Sequence, residues 1–127
     1  MKKTLLWLVC ASLLAACASD RALRDSERLV AEGRAEEGLK QLEQLVRDEP
    51  GNLQAKPAYL RTKEGMLRDF QAKAEAALKA DRFDEAAAAY REMLRLHPEN
   101  SRAPAGLADV ETARVNRGLQ AEAEALV

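Results

Sequence analysis

Histidine occurs once in this chain of 127 residues, cysteine twice, and aromatic side chains make up only 4% of it. A lone histidine cannot build the nitrogen-rich shell of a zinc site, which takes three or four His, Cys or carboxylate ligands. No Gly-rich phosphate loop, Gly-x-Ser-x-Gly turn or Walker-type run occurs, so the common nucleotide and acyl-transfer signatures are missing. Lysine and arginine number 20 against 21 acidic residues, a formal net charge of −1. That balance leaves no clustered basic surface for nucleic acid and no basic patch for anionic lipid head groups. No stretch alternates with period two, so no sheet is expected. The apolar run from Leu5 to Ala16 falls short of the roughly 20 residues that span a bilayer as a helix.

That short run is informative in another way. It follows Met1-Lys2-Lys3 and ends in Ala15-Ala16, the charged start, apolar middle and small-residue exit of a secretory signal peptide. Cys17 comes next. Leu14-Ala15-Ala16-Cys17 resembles the lipobox of bacterial lipoproteins. The resemblance implies that residues 1–16 are removed, that the Cys17 thiol carries a diacylglycerol, and that the new amino terminus is acylated. Ala18, not aspartate, follows the cysteine. By the sorting pattern of enterobacterial lipoproteins this implies a periplasm-facing anchor in the outer membrane. Two lipid chains already anchor stably, at about 0.8 kcal/mol per buried methylene. The plain alternative is an ordinary secretion signal in which Cys17 is incidental. On the lipoprotein reading Cys10 leaves with the leader and Cys17 is occupied by lipid, so neither a disulfide nor a metal thiolate is expected. Loss of Lys2 and Lys3 moves the formal charge from −1 to −3.

The remainder is rich in Leu, Ala, Glu and Arg, the composition of packed helices. Gly33, Pro50-Gly51, Asp81-Arg82, Pro98 and Asn100-Ser101 punctuate it. The breaks predict five helices. The first runs from an N-cap at Asp20 to about Glu32, with Gly33 closing it. The second covers about Ala35 to Glu49, and the third, starting near Pro57, reaches about Ala80. The fourth spans Phe83 to Leu96, and the fifth begins at Ser101. Pro50-Gly51-Asn52 and Pro98-Glu99-Asn100 lie 48 residues apart, and Gln71-Ala-Lys-Ala-Glu-Ala recurs at Gln120 after 49. The chain therefore repeats a unit of one long and one short helix, and such units bury their apolar faces by stacking.

Counted back from Pro98 over 34 residues, the central unit resembles a tetratricopeptide repeat. Phe70 takes the place of the first-helix aromatic and Ala74 that of the small residue. Asp81 and Phe83 sit in the turn, Ala86 at the tight helix crossing, Tyr90 at the later aromatic position, and Pro98 closes the unit. Ala77 and Met93 depart from the pattern. Gly33, Gly38 and Pro50 place the earlier pair in the same frame. The resemblance implies an all-α fold over residues 17–127, with antiparallel helix pairs stacked as a short α-solenoid with elongated first helices. The spacing of the prolines exceeds the family period by about four helical turns, so residues from about 57 to 66 are read as an extension of the third helix. In this family the first helices line a groove for a partner's segment, which places Arg68, Gln71, Glu75 and Lys79 on it. The plain alternative is a solvated stripe held by pairs such as Glu75 with Lys79. Glu75 stands where the family's clamp for C-terminal carboxylates has asparagine, which disfavours that class of peptide.

His97 ends the fourth helix, where imidazole complements the helix dipole, and Glu36-Glu37 and Asp84-Glu85 do the same in first turns. No catalytic constellation emerges, and no enzyme activity, metal or dissociable cofactor is expected. Gln120 to Val127 matches the middle of the third helix and then the sequence stops. Either that helix lies open, serving a homo-oligomer contact, or a longer protein is expected. A lipobox followed by long-helix repeats resembles the N-terminal region of lipid-anchored outer-membrane secretins of type II secretion or type IV pilus systems. That resemblance implies a protein partner in the cell envelope. A stand-alone tetratricopeptide lipoprotein, such as a pilotin or envelope-assembly accessory, and the non-catalytic front of a larger cell-envelope enzyme are the rival readings. Cys17→Ser is expected to leave an unprocessed precursor, seen as a slower band on immunoblots; normal processing would mean that an ordinary signal peptidase does the cutting.

Overall fold

The computed structural model describes residues 18–126, all of whose regular structure is helical. The leader and Cys17 lie outside the described residues. Helix α1 covers residues 18–31, followed by α2 (Ala35–Asp48), α3 (Ala55–Lys79), α4 (Phe83–Leu96) and α5 (Arg102–Ala125). Segment 57–66 is thus helical, within an unbroken α3. The chain divides between Glu64 and Gly65 into two compact units, the division falling inside α3.

In the first unit, Leu23 of α1, Leu42 and Leu45 of α2, and Ala55 and Ala58 of α3 form one apolar cluster, edged by Ala22, Val46 and Tyr59. In the second, Ala74 and Ala77 of α3 meet Ala86, Ala87, Ala89, Tyr90 and Met93 of α4 and Ala103 and Val110 of α5. Phe70, Leu78, Phe83 and Leu107 pack around that cluster. Helices α4 and α5 are direct neighbours.

The 48-residue period extends to individual hydrogen bonds. Helix α1 closes with the Gly33 N–H on the Val30 carbonyl (3.1 Å) and the Arg34 N–H on Leu29 (2.8 Å). Helix α3 closes with the Asp81 N–H on Leu78 (3.1 Å) and the Arg82 N–H on Ala77 (2.9 Å). Both are Schellman closures, which require a left-handed residue; Gly33 has φ 82° and Asp81 φ 56°. Aspartate is among the few side-chain-bearing residues that tolerate that region. After each short helix an asparagine turns the chain. The Asn52 Oδ1 accepts the N–H groups of Gln54 (3.0 Å) and Ala55 (3.1 Å). The Asn100 Oδ1 accepts those of Arg102 and Ala103, both at 3.0 Å.

These bonds correct the expected helix starts. Asp20 lies inside α1, not at its cap. Helix α3 starts at Ala55, and Pro57 occupies its first turn, where a missing N–H costs nothing. Ser101 makes no side-chain cap bond to α5; Asn100 does that work.

The helices approach where side chains are small. A Cβ at Gly38 would sit 2.7 Å from Val30 Cγ2 and 2.8 Å from the Ser26 carbonyl oxygen. Ala74 and Ala86 are completely buried, as is Ser26, whose hydroxyl donates to the Ala22 carbonyl at 2.7 Å. Gly106 of α5 lies against the Tyr90 ring so closely that a Cβ there would overlap it. Around Gly118, by contrast, a Cβ would meet nothing.

Three glycine or alanine substitutions separate these cases. Ala86→Leu is expected to destabilise by about 1–3 kcal/mol through overpacking, and Gly106→Ala to lower the melting temperature through its clash with Tyr90. Gly118→Ala is expected to raise stability by about 0.5–1 kcal/mol, the ordinary helix-interior gain. Thermal melts followed by circular dichroism check all three; an unchanged melt for Ala86→Leu would remove the tight crossing.

Candidate protein-binding surface

Arg68, Gln71, Glu75 and Lys79 come at successive turns of α3, the spacing of one helical face. Arg68, Glu75 and Lys79 are exposed and Gln71 is half-buried. Gln71 joins two helices. Its Nε2 donates to the Glu75 Oε1 at 2.8 Å, and its Oε1 accepts from the Arg102 guanidinium of α5 at 3.3 Å. Glu75 is thereby held by Gln71, and not by Lys79 as the charge pattern suggested.

Tyr90 projects from α4 towards the same side. The residue is 6% exposed. Burial, followed by the carboxylates of Glu75 and Asp109, pushes its phenol pKa up. The α3 and α5 side of the second unit therefore carries two carboxylates around a tyrosine, with Arg102 bonded alongside. Sequence reasoning found Glu75 but missed Asp109 and Arg102. Their spacing of seven residues on one helix, two turns, was the available signal.

Around the α3–α4 turn the charges are paired with one another. Asp84 meets Arg114 at 2.6 Å, Asp81 meets Arg117 at 2.8 Å, and Arg82 meets Glu85 at 3.0 Å. The Arg114 guanidinium stands 5.9 Å from the centre of the Phe83 ring, within cation–π range. A shallow depression of about 340 Å³ lies among Asp81–Glu85 and Arg114. Its hydrogen bond and Coulombic attraction to Asp84 hold the Arg114 pKa up. The arrangement stitches α5 to the turn and brings no nucleophile to a base.

The other sequence candidates have structural surroundings. Glu37 binds Arg34, with Arg34 Nε to Glu37 Oε1 at 2.8 Å, a bond that holds the Glu37 carboxyl below its ordinary range. His97 is half-buried and caps α4 through its own N–H on the Met93 carbonyl at 2.9 Å. Phe70, Ala74, Phe83, Ala86 and Tyr90 all lie in or against the second core, and exposed Pro98 follows α4. Among the described residues no group of three or more His, Cys, Asp or Glu is arranged to hold a metal ion, and no described helix is long and apolar enough to cross a membrane.

The outer part of α5 carries an uncovered apolar stripe. Val115, Leu119 and Leu126 of α5 and its C-terminal turn are 53%, 59% and 88% exposed. The sequence match of Gln120 with Gln71 sets Leu119 in register with Phe70, Ala123 with Ala74 and Leu126 with Ala77. On α3 those positions belong to the cluster that also contains Ala86, Tyr90 and Met93 of α4. On α5 no described helix lies over them.

The Tyr90 environment can be read directly. In a Tyr59→Phe variant, tyrosinate absorbance is expected to rise with a midpoint above the free value of about 10, and Glu75→Gln with Asp109→Asn should bring the midpoint down. Because the folded pKa is the higher one, this group's contribution to stability is whole below the free-tyrosine value and is lost as pH climbs through the folded value. A midpoint at the free value would mean that neither burial nor the two carboxylates act on the phenol. Compared with known proteins, the chain matches no family model, no curated protein and no solved structure.

Proposed function

We propose that this chain is a lipid-anchored, periplasm-facing adaptor of the bacterial outer membrane, a tetratricopeptide-like solenoid that holds a partner protein and catalyses nothing itself. The observation that carries the reading is the uncovered stripe of Val115, Leu119 and Leu126. Leu119 and Leu126 reproduce on α5 the register of Phe70 and Ala77, on the α3 face that packs against α4. A stripe of that kind takes an amphipathic helix, reading its apolar anchors a turn apart. The carboxylate-bearing side formed by Glu75, Asp109 and Tyr90 supports the same class of role, because it favours a basic segment and repels a C-terminal carboxylate. The lipobox around Cys17 supports the location, and the pairing of lipobox with long-helix repeats supports a place in a secretin-type secretion or pilus-assembly system.

In-cell photocrosslinking tests the adaptor role. A photoreactive residue at Leu119 is expected to capture an envelope protein, while one at Lys40, on exposed α2 surface, captures none. Val115→Asp should abolish the Leu119 crosslink with the helical circular dichroism unchanged. Equal labelling at Leu119 and Lys40 would remove the stripe as a binding surface.

A further inference from the structure

The first unit has an unexplained apolar tip. Leu53, in the turn between α2 and α3, is 90% exposed, and it belongs to neither apolar cluster. Single exposed leucines are ordinary on protein surfaces; the position and the surroundings of this one are not. The second repeat supplies the comparison. Its matching turn reads Pro98-Glu99-Asn100-Ser101 where the first reads Pro50-Gly51-Asn52-Leu53. Both turns make the same asparagine bonds to the next helix. Serine therefore serves this backbone geometry as well as leucine, and the first turn has replaced both a charge and a hydroxyl with apolar or neutral residues.

That same turn is tied to the start of α1. The Ser19 hydroxyl donates to the Glu49 Oε1 at 2.6 Å, and the Asn52 Nδ2 donates to the Glu49 Oε2 at 3.3 Å. One carboxylate thus clamps the first turn of α1 to the residue before Leu53. One α1 turn further on, Leu23 shares a cluster with Ala55, which fixes the two segments side by side. The clamp belongs to the first repeat alone, since the positions matching Ser19 and Glu49 hold Leu67 and His97. Ser19 is two residues from Cys17, and consecutive Cα atoms are about 3.8 Å apart.

We propose that the Pro50–Leu53 turn is a membrane-contact point, with Leu53 entering the interfacial region of the bilayer beside the lipid on Cys17. The inference rests on the lipid anchor proposed above. One leucine would not bring a free protein to a membrane. A covalent anchor changes that, because it holds the turn at the surface at high effective concentration. Burying the side chain then favours the inserted orientation by roughly tenfold to a hundredfold. Ser19 and Glu49 keep the turn beside the start of α1, two residues along the chain from Cys17, so the anchor and Leu53 together fix which end of the first unit faces lipid.

The test uses the full chain, processed in cells and reconstituted with its native anchor into phosphatidylethanolamine–phosphatidylglycerol vesicles. An environment-sensitive fluorophore is attached through Leu53→Cys, or through Ser101→Cys as control, and mass spectrometry reads the Cys17 modification in the same samples. The expected result is blue-shifted emission at position 53, quenched by bromine-labelled lipid, with water-like emission at position 101. Glu49→Gln with Ser19→Ala, which loosens the clamp, should reduce quenching at 53 severalfold. Water-like emission at 53 on a lipidated chain overturns the membrane contact and leaves the anchor standing. An unmodified Cys17 on a chain that stays out of the vesicles overturns both.

Discussion

Two helices can run side by side only as closely as the side chains between them allow, and in this protein that distance is set by residues with almost no side chain. Gly38 faces the Ser26 carbonyl and Val30 with no room for a Cβ, Ala74 and Ala86 are sealed from solvent, and Gly106 accepts the ring of Tyr90. The rest follows from these contacts. Close backbones bring Leu42, Leu45 and Met93 into range of their neighbours, and those larger side chains supply the apolar burial that a chain with so few aromatics needs. The Schellman turns at Gly33 and Asp81 complete the arrangement by reversing the chain in two residues.

Most of the helical layout was legible in the sequence because its breaks use residues with strong backbone preferences. Gly33, Pro50 and Pro98 leave the chain few choices, and the bounds of α4 follow directly from Asp81-Arg82 and Pro98. The helix starts were less legible. Pro57 and Ser101 carry familiar start signals, yet Asn52 and Asn100 do the capping from just outside, and nothing in a propensity scale says which of several polar residues will reach the free N–H groups. Electrostatic partners were least legible of all. Arg114 and Arg117 pair with carboxylates 30 and 36 positions earlier in the chain, and Glu75 takes an amide four residues back over a lysine four residues on. Periodicity identifies a face but not the group that a flexible side chain on it will meet.

The candidate surfaces divide by chemistry. The α3 and α5 side of the second unit is polar, with Glu75 and Asp109 beside a tyrosine whose phenol pKa burial pushes up. The outer half of α5, with its C-terminal turn, carries an uncovered apolar stripe of Val115, Leu119 and Leu126. The tip of the first unit is a single leucine next to the expected lipid. A polar face selects among partners, an apolar stripe supplies affinity, and a lipid-directed tip sets orientation. Each element can be removed by one or two substitutions without touching the small-residue contacts that hold the helices.

The ion pairs named above share one property, the use of arginine as the cation. A guanidinium does not lose its proton at any pH that a living cell meets. In the proposed location, behind a porous outer membrane, the chain would share the acidity and salinity of whatever surrounds the cell. Alkali leaves these pairs intact, and brine, which screens exposed charges within a few ångströms at high strength, weakens only interactions that contribute little to stability in the first place. The glycine and alanine contacts that set the helix spacing carry no charge for the medium to screen or titrate, so an abrupt change of habitat leaves the architecture to its least sensitive parts.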